Sequence, residues 1–229
     1  MVAAVENGGG PRSKRSAILR AAVECFGDVG YEHTKWSEVA DRVGIGQTAL
    51  YHYFESKAHC LLTIMHMRLQ ESLDRFKEVS AGLPPVDALR AGVASAYDAN
   101  DFEVLQTRIL HSHIDLLATP RASEREEEER QASRVLVREI ERAWISVIER
   151  GMADGSLVPR DARTMGRAAL GLIISVWDWY RPGGPMTLPQ VTQFIEGCIL
   201  RMLGPDPVGS QASVSAPSSR RPRKARSRS

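Results

Sequence analysis

The sequence predicts an all-α protein: an N-terminal three-helix helix-turn-helix DNA-binding domain followed by a larger C-terminal helical ligand-binding and dimerisation domain. Two observations carry the fold class. Apolar residues recur at three- to four-residue spacing along most of the chain, and no stretch alternates with the two-residue period of a strand. Between Thr34 and Lys57, Val39, Ala40 and Val43 precede Gly44, and Ile45, Leu50 and Tyr53 follow it. That spacing lets two short helices cross steeply and share one small core.

Residues 1–12 contain Gly8-Gly9-Gly10-Pro11 and read as a mobile arm with no apolar run of a secretion signal. Ser13 or Ser16 can open a helix to about Asp28, with Ile18, Ala22, Cys25, Phe26 and Val29 on its apolar stripe and Gly30 ending it. Gly44 can take a positive φ at no steric cost, so it ends the next helix and turns the chain. The helix after it, Gln47 to Tyr53, buries Leu50 and presents Gln47, Thr48, Tyr51 and His52, groups suited to base edges, thymine methyls and phosphates in a major groove. From Ser56 to Ser80 a long helix carries Leu61, Ile64, Met65, Leu69, Leu73 and Phe76, and Gly82-Leu83-Pro84-Pro85 breaks it. Further helices are expected over Val86–Ala99, Phe102–Leu117, Ser123–Asp154, Ala162–Tyr180 and Leu188–Leu203. Ser123 with Glu126 and Thr187 with Gln190 have capping-box spacing.

The run LYHYFESK from Leu50 resembles the signature of the tetracycline-repressor (TetR) family, and the likeness continues upstream through Ala21, Phe26, Gly30, Tyr31 and Thr34. The resemblance implies that Thr34 caps the first reader helix and touches a phosphate, that Gln47 and Thr48 face bases, that Tyr51 meets a base methyl or phosphate, and that Lys57 lies near the DNA backbone. Lys35, Trp36, Ala49, His52 and Tyr53 complete the expected DNA-binding set. Two departures stand out: the aromatic order is Tyr51-His52-Tyr53-Phe54, and Gly46 replaces the Ser that often starts the recognition helix. The segment WYRPGGP, Trp179 to Pro185, resembles the equivalent turn of acyl-CoA-responsive actinobacterial members.

The domains follow: an arm over 1–12, the reader over 13–57, the helical body over 58–204 and a basic tail over 205–229. The net charge of +2 is mild, yet the tail holds Arg220, Arg221, Arg223, Lys224, Arg226 and Arg228 against Asp206 alone, which leaves the rest of the chain at −3. From Arg12 to Lys57 there are seven Lys/Arg against six Asp/Glu, so one reader alone binds DNA weakly and a homodimer on an inverted-repeat operator is expected. Leu170, Ile174, Trp177, Phe194, Ile195, Cys198, Ile199 and Met202 are its expected interface, with the two stripes facing the protomer's own core as the alternative. No membrane span is visible. The odd, scattered Cys25, Cys60 and Cys198 point to a reducing cytoplasm.

No nucleophile elbow, P-loop or dinucleotide motif is present, so neither an enzyme nor a cofactor is expected. His111, His113 and Asp115 lack the further ligand that a zinc site needs, and the acidic run Glu124, Glu126–Glu129 reads as solvated first-turn acids of a long helix. Met65, Leu69, Tyr97, Phe102, Leu105, Ile109, Trp144 and Trp177, with His113 and Asp178 as polar members, are expected to line a pocket for an apolar effector. An elongated acyl or steroid acid as its CoA thioester is the expected inducer. A regulator with a filled core and a protein partner, and a helical small-molecule binder without DNA function, remain as alternatives.

Removing the tail after Gly204 is expected to leave the fold intact. The salt dependence of non-specific DNA binding should fall by up to about 5 in log–log slope if all six cations meet phosphates; titration at stepped salt concentrations measures it.

Overall fold

The computed structural model describes residues 11–204, so the expected arm, up to its last two residues, and the basic tail lie outside the described residues. Within them the protein is helical with no strand. The helices are α1 (Pro11–Val29), α2 (Trp36–Val43), α3 (Gln47–Tyr53), α4 (Lys57–Ser80), α5 (Pro85–Tyr97), α6 (Asp101–Ser112), α7 (Glu124–Ala153), α8 (Ala162–Trp179) and α9 (Leu188–Leu203). The expected helix over Phe102–Leu117 is two pieces: α6 ends at Ser112, His113 leaves helical geometry at φ −125° and ψ 24°, and a 3₁₀ turn spans Ile114–Leu117. The turn at Gly44 is as the sequence predicts, with φ at 71° and the Ile45 amide donating back to the Ala40 carbonyl at 3.0 Å.

In α1 burial follows the helical stripe with one exception. Ile18, Ala22, Cys25 and Phe26 of α1 are buried, whereas Val29, at the helix end, is exposed. Two apolar cores result. The first joins α1, Val39 and Ala40 of α2, Leu50, Phe54 and the first half of α4 to Ile109, Leu117 and Leu136. The second joins Phe76 to α5, the far half of α7, α8 and α9. Ile140 and Ala143 of α7 pack against both cores.

Two rods run the length of this arrangement. α4 and α7 lie side by side in the same direction, because Ser56 meets Glu126, Thr63 meets Glu129 and Phe76 stacks on Trp144 at 4.6 Å. At 1.5 Å per residue the 24-residue α4 is about 36 Å long and the 30-residue α7 about 45 Å. Elsewhere, the buried Tyr97 hydroxyl donates to the Ile173 carbonyl at 2.9 Å and ties α5 to α8. A Pro at the start of α5 supplies the fixed φ that a first helical turn accepts.

The Phe76–Trp144 stack is seated on the bare backbone of Gly92. A Cβ there would come within 2.5 Å of Phe76 Cε2 and 3.2 Å of Trp144 Cη2. Gly92→Ala should therefore destabilise the protein by about 1–3 kcal/mol through overpacking, in spite of alanine's better helix propensity. A shift of the urea unfolding midpoint to lower concentration at unchanged slope checks it.

Candidate nucleic-acid interface

The reader presents one helix and buries what surrounds it. Leu50 of α3 is fully buried, and Phe54, just past the helix end, is also fully buried beneath the Arg15 guanidinium at 5.0 Å. Gln47, Thr48, Tyr51 and His52 stay exposed on the outer face, Tyr51 at 47%. Ala49 and Tyr53 are half-buried, Tyr53 against the first core. Gly46 caps α3 without a side-chain hydrogen bond, which leaves the first amides of that helix free of a side-chain partner of their own cap.

Three of the expected contacts are corrected. Thr34 neither caps α2 nor faces outward: it is buried, and its hydroxyl donates to the Gly30 carbonyl at 2.8 Å and the Cys25 carbonyl at 3.1 Å. The cap residue is Lys35, exposed, whose backbone amide donates to Glu38 Oε2 at 3.2 Å. Trp36 lies in the first core with its indole N–H buried and unpartnered. Lys57 is also turned inward. Its ammonium donates to the carbonyls of Tyr31, Glu32 and Thr34 at 2.6, 3.2 and 3.1 Å and lies 4.4 Å from the Tyr31 ring centre. All three of its donors are used, so it holds the loop between α1 and α2 against the start of α4.

Within the acidic run Glu124 and Glu128 are exposed as expected, and Glu126 is the other correction. Glu126 is only 7% exposed. Its Oε1 accepts from the Ser56 hydroxyl at 2.5 Å and its Oε2 from Arg121 Nε at 2.7 Å. Burial raises its pKa, but the hydrogen bonds from Ser56 and Arg121 outweigh burial and leave the carboxyl below its ordinary range. Ser56 in turn caps α4 by accepting from the His59 amide at 2.9 Å. Glu129 accepts from Thr63 at 3.1 Å, and the Ser123 hydroxyl donates to the Glu55 carboxylate. Only Ser123 and Glu126, spaced as a cap, marked this place in the sequence; their partners lie about seventy positions away.

The ten expected pocket residues are not brought together. Met65, Leu69 and Ile109 belong to the first core, with Phe102 and Leu105 against it, while Tyr97, Trp144 and Trp177 belong to the second. Asp178 is exposed and pairs with His111 Nε2 at 2.7 Å, joining α8 to α6. His113 bonds the Ile109 carbonyl at 2.9 Å and meets the Tyr31 ring edge-on at 5.0 Å. The eight interface candidates also divide. Trp177, Ile195 and Ile199 are buried in the protomer's own core, Ile174 and Phe194 are 44% and 54% exposed, and Leu170, Cys198 and Met202 are half-buried. Among the described residues no group of three His, Cys, Asp or Glu is placed to hold a metal, and no helix is long and apolar enough to cross a membrane.

The geometry defines a helix-turn-helix unit carried on a helical body, and the comparisons agree. Residues 18–64 match the model of the bacterial regulatory proteins of the tetR family, and residues 82–203 match a tetracyclin repressor-like C-terminal domain. The chain belongs to the TetR family. It is similar to the HTH-type transcriptional repressor KstR2 of Rhodococcus jostii, 29% identical over 189 residues that cover 80% of this chain and 88% of the relative. It is 27% identical to the KstR2 of Mycolicibacterium smegmatis over 187 residues, which cover 80% of this chain and 87% of that one. Among solved structures, the TetR-family regulator PfmR of Thermus thermophilus superposes with a TM-score of 0.70 at 25% identity, covering 80% of this chain and 97% of that one. AibR, solved with isovaleryl coenzyme A and operator DNA, shares the fold with a TM-score of 0.67 at 23% identity, over 81% of this chain and 97% of its own.

Lys57→Ala is expected to act on stability before it acts on DNA. Three carbonyls lose a charged donor, so the protein should be destabilised by about 1–3 kcal/mol. Exposed Gln47→Ala should leave stability within about 0.5 kcal/mol. Chemical denaturation of the two variants beside the parent separates a structural lysine from a phosphate contact.

Proposed function

We propose that the protein is a ligand-responsive transcriptional repressor that reads an inverted-repeat operator as a homodimer and is released by an acyl- or steroid-coenzyme A thioester. The observation that carries the DNA reading is the outer face of α3. Gln47, Thr48, Tyr51 and His52 are all exposed on a helix whose inner residue, Leu50, is fully buried. Gln47 and Thr48 read base edges, Tyr51 and His52 meet a thymine methyl or phosphates, and exposed Lys35 supplies a cation beside them.

The homodimer rests on α8 and α9. Ile174 and Phe194 are large, apolar and exposed, and a Cβ added at nearby Gly171 would meet open space. Half-buried Leu170, Cys198 and Met202 extend that apolar surface, and a twofold contact would cover it. Trp177, Ile195 and Ile199 support the interface from behind without belonging to it.

The effector reading rests on kinship with the KstR2 repressors and on the shared fold of AibR with its isovaleryl coenzyme A. The guest belongs at the seam where the two cores meet, beside Ile140 and Ala143 of α7. An acyl chain inserted there competes with apolar packing that the unliganded protein already has. It has only to prefer the DNA-incompetent state by about 1.4 kcal/mol to release the operator tenfold.

One experiment tests the whole reading. Duplexes selected from a random pool by the full-length protein should contain an inverted repeat, and adding acyl- and steroid-CoAs to the complex should release the protein. Gln47→Ala should relax discrimination at one or two base pairs by about 1–3 kcal/mol. Phe194→Asp should give monomers that lose the selected duplex. Selection of no common sequence sinks the DNA reading, and indifference to every thioester leaves a regulator that answers to a protein partner.

A further inference from the structure

The segment that joins the recognition helix to α4 is held by α7. Phe54, Glu55 and Ser56 are all that separates the end of α3 from the start of α4. Two of these three are bonded to the first turn of α7: Glu55 to the Ser123 hydroxyl, and Ser56, at 2.5 Å, to Glu126. One helical turn later, Thr63 bonds Glu129 at 3.1 Å, and Arg15 of α1 lies 3.9 Å from the same carboxylate. Further along, the contact between α4 and α7 is aromatic, Phe76 on Trp144. The polar ties are thus concentrated where α4 meets the reader. Arg121, at 2.7 Å from the second oxygen of Glu126, fixes that carboxylate from the other side.

The far half of α7 lies elsewhere. Trp144, Val147 and Ile148 are buried in the second core, with α5, α8 and α9. A helix resists bending over this length far more than a loop does, so displacement of the far half shifts the first turn with it. The geometry points to Glu126 and Ser123 as positioning residues for the recognition helix: α7, beside α4, carries the state of the second core to the reader. Elongated side chains are not needed for this, only that Glu126 keep Ser56 and Ser123 keep Glu55. The consequence for DNA rests on the reading of α3 as the recognition helix, whereas the positioning itself does not.

Hydrogen exchange of the full-length protein separates the two. In Glu126→Ala and in Ser56→Ala, amides of residues 47–53 should exchange about ten- to a hundredfold faster, while those of α8 and α9 keep their parental rates. The double variant should fall short of the two single effects multiplied, because both changes remove the same tie and Ser56→Ala takes the α4 cap with it. Ser123→Ala, which removes the tie to Glu55 together with a long cap bond to the Glu126 amide, should give the same pattern in milder form and guards against a Glu126 variant that fails to fold. Affinity for a duplex selected by the parent protein should fall with the exchange protection. Unchanged exchange in 47–53, or equal acceleration in α8 and α9, overturns the positioning role. If the parent selects no duplex, the DNA reading fails and the exchange pattern still decides whether α7 holds α3.

Discussion

A seven-residue helix has too few internal hydrogen bonds to persist alone, so the place of α3 depends on what grips its two ends. At its start the grip is the Gly44 turn, which sets α3 across α2 over Ala40 and Leu50. At its end the grip is electrostatic as much as apolar. Phe54 is driven fully inward, and on either side of it charged groups are hydrogen-bonded by the protein itself. Lys57 is shared among three carbonyls of the loop before α2, and Glu126 among Ser56 and Arg121. Neither charged group is left without hydrogen-bond partners, the condition under which its partial burial is tolerable.

The body adds two further supports to the reader. Leu105 of α6 fills the space left by Gly27 of α1, where a Cβ would lie 2.6 Å from its Cδ2, and the Arg20 guanidinium sits 4.9 Å over Phe102. α6 is itself tied to α8 by His111 and Asp178. The reader is thus packed on α4, α6 and the first turn of α7 at once. Ile140 and Ala143 of α7 bridge the two cores, so the packing that supports the reader is continuous with that of the second core.

The fold was legible because its signals are local. Gly44, the spacing of Val39, Ala40 and Leu50, and the breaker at Gly82 to Pro85 each act within a few residues, and periodicity located every helix, though not the break at His113. The polar residues were read less well. Thr34 and Lys57 turn inward because their partners come from α1 and the loop after it, Trp36 because it packs in the first core, and Glu126 is covered because α4 lies against it. Such pairings are set by tertiary contact and leave no mark in spacing. The apolar stripes of α8 and α9 were similarly ambiguous: each is wide enough to serve the protomer's core with Ile173 and Ile199 and still show Ile174 and Phe194 at the surface.

The ties between Ser123, Glu126, Glu129 and the start of α4 also bear on how such a protein can diversify by recombination. A reader exchanged at the head of α4 would bring Glu55 and Ser56 from one ancestor and leave their partners with the other. A hybrid of that kind inherits carboxylates facing whatever the new reader supplies, and half-buried charge without a partner is costly. The unit that can be inherited whole is therefore discontinuous: the reader together with one helical turn that the chain reaches only after α5 and α6 are complete.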